Sequence, residues 1–253
     1  MRFGVCTSLE NAGILAAIGF DYIEVHTCSL MELDEDAFDA FIAENKAAPI
    51  RAEAANCLFP GEMALTGPDV QPGEIRSYIR KVMERLGALG VSSLVFGGGG
   101  CRRVPQGYPM EEAWRQLVEL GQVLGSEAEP YGITVVLEPL RLAETNIINT
   151  VAQARHLVDD VNHPNFRMLC DLYHFHQVGD DLAELEECGS RTRHIHIAKP
   201  DDRRTMYPGD GMDYAGFFRT LRAMGYDGRV SFEGTIFDMP AEMPLTLAVM
   251  KSL

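Results

Sequence analysis

The chain has 253 residues, 37 acidic and 22 basic side chains, a formal charge of −15, and 46% apolar residues. That is enough apolar material for one large packed core, and charge is too evenly mixed with it for disorder. No apolar run of about 18 residues is present, so no membrane-spanning helix is predicted. The acidic balance also works against a general affinity for nucleic-acid phosphates.

The opening segment MRFGVCTSLENAG lacks the apolar core of a secretory signal. The six cysteines are scattered and form no CxxC pair. Reduced thiols in a cytoplasmic protein are therefore expected.

In chain order, short runs rich in Val, Ile, Leu or Phe predict strands at 2–6, 22–25, 50–54, 93–96, 133–137, 166–170, 193–197 and 229–232. Helix-like stretches fall between them. Residues 34–46 start acidic and carry Phe38, Phe41 and Ile42. Residues 72–89 place Ile75, Ile79, Val82, Met83 and Leu86 on one face, and 110–129 repeat the pattern with Trp114, Leu117, Val118, Leu120 and Leu124. Residues 150–160 follow Asn149-Thr150, either of which can cap a helix, and 213–224 end at Gly225. Eight strands alternating with helices over this length predict a single (β/α)8 barrel domain spanning 1–253. The competing doubly wound sheet lacks its GxGxxG fingerprint after the first strand.

Barrel chemistry gathers where the strands end. Here the last four strands finish on Glu138, on Asp171, in His194-Ile195-His196, and on Glu233. Taken singly, each has an ordinary explanation: a solvated loop acid, a helix cap, a core histidine. Neighbouring parallel strands bring them to one mouth, where three carboxylates repel one another unless a cation joins them. Three oxygen donors and one imidazole suit a single divalent ion: Mn²⁺, Co²⁺, Mg²⁺ or Zn²⁺. His194 and His196 share one strand face, and only one is needed as a ligand. His174, three residues past Asp171, is positioned for a substrate oxygen or for a local hydrogen bond, whereas His176 reads as exposed.

Other features leave two readings each. Gly97-Gly98-Gly99-Gly100 with Arg102-Arg103 is either an anion-binding loop or a tight turn carrying solvated arginines. Arg203 follows the seventh strand at the rim. Phe59 either walls a pocket or joins the core.

The motifs Leu137-Glu138-Pro139-Leu140 with Glu144, Cys170-Asp171-Leu172-Tyr173-His174, His194-Ile195-His196 with Arg203, and Ser231-Phe232-Glu233 occur in order along the chain. With them the chain resembles the sugar phosphate isomerase/epimerase superfamily and its xylose isomerase-like barrel. Members include ketose 3-epimerases, hydroxypyruvate isomerase, the isomerase and dehydratase of inositol catabolism, and endonuclease IV. The resemblance implies that Glu138, Asp171, His196 and Glu233 hold one divalent metal ion. It makes Glu138 and Glu233 the acid/base pair, and Glu144, His174 and Arg203 the substrate-binding residues. The implied activity is isomerisation or epimerisation of a sugar or sugar derivative through an enediolate. A dehydratase or lyase acting on a keto-inositol or 3-keto-glycoside, and a non-catalytic sugar-binding barrel, are the alternatives. Endonuclease IV needs further histidines for three zinc ions. Here none lies between His26 and His156 and none follows His196. The expected partner is a small sugar, with neither nucleic acid nor membrane, and a homo-oligomer is left open.

Overall fold

The computed structural model describes residues 1–252. Leu253, the last residue of the predicted domain, lies outside them. Eight parallel strands close into one barrel in sequence order. They are β1 (Arg2–Cys6), β2 (Tyr22–His26), β3 (Ala52–Asn56), β4 (Ser93–Phe96), β5 (Thr134–Leu137), β6 (Phe166–Asp171), β7 (Thr192–Ile197) and β8 (Arg229–Phe232).

Around them lie α1 (Ala12–Ile18), α2 (Thr27–Glu32), α3 (Glu35–Ala47), α4 (Pro72–Leu89), α5 (Met110–Ala128), α6 (Val151–Val161), α7 (Leu172–Val178), α8 (Leu182–Cys188), α9 (Ala215–Ala223) and α10 (Met239–Ser252). Alternation along each strand sorts the side chains. Leu94, Phe96, Val135, Leu137, Met168 and Cys170 join the large core under the helices. Ile75, Ile79, Val82, Met83 and Leu86 of α4 pack into that core. Phe59 belongs to it as well, 5.5 Å from the Phe96 ring, so it is not a free pocket wall.

A separate cluster of Val95, Val136 and Leu169 comes from the opposite, inward face of β4, β5 and β6. The inward side chains of β2, β7 and β8 are instead polar: Glu24, His194 and Ser231, all buried. One side of the barrel interior is thus apolar and the other is a hydrogen-bonded set.

Register places the chemistry. Asp171 pairs with His196 across β6 and β7, and His196 with Ser231 across β7 and β8. The backbone N–H of Glu138 donates to Phe96 O at 3.0 Å, and that of Glu233 to Ile197 O at 3.0 Å. Both glutamates therefore continue the ladder one residue past their strands. All six cysteines are free. No helix among the described residues is long and apolar enough to cross a membrane.

Candidate metal centre and active site

Four predicted residues meet at the strand ends. Glu138, Asp171, His196 and Glu233 each offer one ligand atom, and these atoms lie within 4.8 Å of one another. His196 Nδ1 stands 3.5 Å from Glu138 Oε1 and 3.1 Å from Glu233 Oε2. Three of the four, Glu138, Asp171 and His196, are buried.

The donor atoms themselves are left over. Glu138 Oε1, Asp171 Oδ2 and His196 Nδ1 are all buried without a hydrogen-bond partner. Each such orphan ordinarily costs about 1–3 kcal/mol. Three of them facing one point, with a third carboxylate, that of Glu233, beside them, fit a divalent cation.

Each side chain is held from behind. Asp171 Oδ1 accepts the Tyr173 N–H at 2.8 Å and caps α7, which leaves Oδ2 turned to the cluster. His196 Nε2 lies 2.8 Å from Glu24 Oε1. Glu138 has its carbonyl fixed by Arg102 Nη2 at 2.5 Å, and Arg102 also donates to Phe96 O at 3.3 Å. Arg102 is fully buried, so the reading of two solvated arginines fails for it, and its guanidinium is spent on backbone carbonyls rather than on an anion. Arg103 stays on the surface and donates to Ala143 O at 3.2 Å. The glycine loop serves the site by making room. A Cβ at Gly97 would sit 2.4 Å from Glu138 Oε2.

The three predicted substrate-binding residues ring the cluster. Buried His174 accepts the Arg141 N–H on Nδ1 at 3.4 Å, and its Nε2 points toward Asp171 Oδ2 at 3.6 Å and Glu144 Oε2 at 4.0 Å. Arg203 Nη2 donates to Glu233 Oε2 at 2.5 Å and stands 3.5 Å from Asp171 Oδ2, with Nη1 4.0 Å from Glu144 Oε1. Its backbone adopts the left-handed conformation at φ 56°. A Cβ on Gly234 would lie 2.5 Å from Arg203 O, so a glycine is needed there for that bend to pack. His176 is exposed, as predicted.

Electrostatics follow from this crowding. Burial and the adjacent Glu138 push the Asp171 carboxyl up to about 7. Burial, reinforced by Arg203, pushes His174 down to about 4, which leaves its ring neutral. Burial alone would raise Glu233, but His196 and Arg203 outweigh it and hold this carboxylate at about 2. Burial opposes an imidazolium at His196, yet Glu24 and Glu233 outweigh it and raise this group well above the usual histidine range.

Sequence reasoning missed Glu24. It bridges His194 and His196, and only its place between the apolar Ile23 and Val25 marks it. Cys6 Sγ, 4.0 Å from His196 Nε2, completes a second close group of Cys6, Glu24 and His196. There the imidazole nitrogen is already paired with the carboxylate.

A cleft of about 380 Å³ opens beside the cluster, lined by Thr7, His26, Phe41, Asn56, Cys57 and Glu233 among others. A larger cavity of about 630 Å³ lies at the opposite end of the barrel, among Arg2, Thr134, Arg193 and Arg229, and includes none of the clustered carboxylates.

Residues 13–253 match the family described as the xylose isomerase-like TIM barrel. The chain belongs to this family. It is 35% identical over 117 residues to 3-dehydro-D-guloside 4-epimerase of Escherichia coli, covering 46% of this chain and 44% of that protein. That alignment spans less than half of the relative's length. It is 30% identical over 225 residues to L-ribulose 3-epimerase of Methylomonas sp., covering 86% of this chain and 75% of that protein. The crystal structure of 3-keto-D-glucoside 4-epimerase from E. coli superposes with a TM-score of 0.83 at 24% identity, covering all of both chains. At that identity the superposition speaks for the fold.

Proposed function

We propose that the protein is a divalent-metal-dependent isomerase or epimerase of a sugar or sugar derivative. The observation that carries this reading is the convergence of three buried, unpartnered donor atoms, Glu138 Oε1, Asp171 Oδ2 and His196 Nδ1, beside Glu233. Its sugar-epimerase relatives supply the substrate class.

Glu138, Asp171, His196 and Glu233 would hold the ion. Bound there, it would supply Lewis acidity to the substrate oxygens on which charge develops. The chain's own groups do the rest. Glu138 and Glu233 follow the ends of β5 and β8, two strands that are not neighbours, and a carboxylate on each face of a carbon can remove and return its proton. Glu233, held ionised by His196 and Arg203, is the base ready to accept. Neutral His174 presents an N–H from Nε2, because its Nδ1 is already accepting from Arg141. That donor, with Glu144 and the Arg203 fork, orients the substrate hydroxyls.

The test is exchange of substrate C–H hydrogen with deuterated solvent across a panel of keto-sugars, for the wild type and Glu233→Gln. Exchange by the wild type that is lost in a folded Glu233→Gln supports the assignment. Unchanged exchange in the variant sinks the acid/base role. Conserved product mass identifies isomerisation, and loss of water identifies elimination.

A further inference from the structure

Beneath the metal cluster three hydrogen-bond donors converge on one carboxylate. Glu24 Oε1 lies 2.8 Å from His196 Nε2, Glu24 Oε2 lies 2.8 Å from His194 Nε2, and Ser231 Oγ donates to Oε2 at 2.5 Å. Tyr22 Oη lies 2.8 Å from Ser231 Oγ and extends the chain toward the base of the barrel. Every one of these residues is buried.

We infer that Glu24 is the positioning residue of the metal centre: it holds the His196 ring so that Nε2 carries a proton and Nδ1 alone faces Glu138, Asp171 and Glu233. This rests on the reading of those four residues as metal ligands.

The argument is one of donors and acceptors. A carboxylate accepts and does not donate. Glu24 receives the Ser231 hydroxyl, so Tyr22 in turn donates to Ser231. Both imidazoles then meet Glu24 through N–H at Nε2. His196 is left with Nδ1, the atom that is unpartnered and points into the cluster. The ring cannot turn over without breaking this bond and placing a bare nitrogen against a carboxylate. His194, with its ring centroid 5.1 Å from that of His196, occupies the other oxygen and keeps Glu24 from swinging away. A carboxylate behind a ligating histidine fixes both the tautomer and the ring orientation, and losing it typically weakens metal binding about 10–100-fold.

Glutamine at position 24 keeps the shape but offers only one accepting oxygen. The Oε2 position takes two donors, His194 and Ser231, so the amide oxygen is favoured there and the NH₂ turns to His196 Nε2, donor against donor. The experiment compares wild type, Glu24→Gln and Ser231→Ala by calorimetric titration with Zn²⁺, with a thermal melt for each to establish folding. NMR of the histidine ring nitrogens reads which nitrogen of His196 carries the proton. The expected result is that Glu24→Gln folds, binds Zn²⁺ about 10–100-fold more weakly, and loses the His196 Nε2 proton signal. Ser231→Ala leaves the Glu24 Oε1 bond in place and should retain affinity within about threefold.

Wild-type affinity in Glu24→Gln overturns the inference, as does an equal loss in Ser231→Ala, which would indicate general damage to packing. If Glu24→Gln does not fold, Glu24→Asp, which keeps both oxygens but sets them back, takes its place with the same expected weakening. The Nε2 proton of His196 is also read in metal-free wild type. A wild type that binds no cation but shows this proton on Nε2 refutes the metal reading. It leaves the Glu24–His196 arrangement standing.

Discussion

Gly97 leaves open the space that the Glu138 carboxylate occupies: a Cβ there would stand 2.4 Å from Glu138 Oε2. Gly97 is not among the positive-φ glycines, so alanine fits the backbone and only the contact changes. Gly97→Ala should fold normally, displace Glu138 and weaken metal binding at least about tenfold. Calorimetry beside a thermal melt checks this. Undiminished affinity would show that Glu138 is not a ligand in its observed position.

Asp171→Asn separates the two jobs of that side chain. Asparagine still caps α7 through its oxygen. At pH 8, above the raised value of about 7, it removes a buried charge from beside Glu138, so the metal-free variant should gain about 1 kcal/mol of stability. The same change should cost about 100-fold or more in cation affinity. Urea unfolding and metal content of chelator-free preparations measure the two effects, and a variant that keeps its metal would refute Asp171 as a ligand.

Cation affinity should fall as the solution is acidified below pH 7. The Asp171 carboxyl, raised to about 7, holds a proton in the metal-free protein, and His196, raised well above its usual range, holds another on the nitrogen that faces the cluster. A cation must displace both, so the apparent affinity should drop by at least about tenfold per pH unit. Stability is a poorer reporter. Asp171 binds more protons folded than unfolded between about pH 4 and 7, and this favours the folded state toward low pH. His174, lowered to about 4, binds fewer in nearly the same window and favours the folded state toward high pH. The two contributions oppose each other. A cation affinity that does not change between pH 8 and pH 6 would contradict the assignment.

Arg102→Met tests the buried arginine. Two carbonyls, those of Phe96 and Glu138, lose their donor. A loss of about 2–3 kcal/mol in urea unfolding is expected, together with weaker cation binding because the Glu138 backbone is released. A change confined within about 0.5 kcal/mol would mean that water replaces the guanidinium at no cost.

The fold was legible wherever periodicity was strong. β4 and α4 fall where the apolar pattern puts them, at Ser93–Phe96 and Pro72–Leu89. β3 begins two residues later than predicted, at Ala52. Its sequence AEAAN has no β-branched residue, and Ile50 drew the reading forward. The short helices α1, α2, α7 and α8 span too few turns to display a face. α10 contains Pro244, and its apolar residues do not keep to one side. The ligand candidates could be read because each lies within one residue of a strand's end. Glu24 could not, because it lies inside one and its partners come from β7 and β8, at the far end of the sequence.

Arg203 touches the same oxygens that a cation would take, Glu233 Oε2 and Asp171 Oδ2. It acts as the built-in counter-ion of the cluster. A divalent ion held by the proposed ligands would compete with the guanidinium for those atoms and would displace it. The displaced fork would then have its donors free for a substrate oxygen. On the proposed function, binding would be ordered: the ion would enter first, and only afterwards would the arginine be available to a sugar.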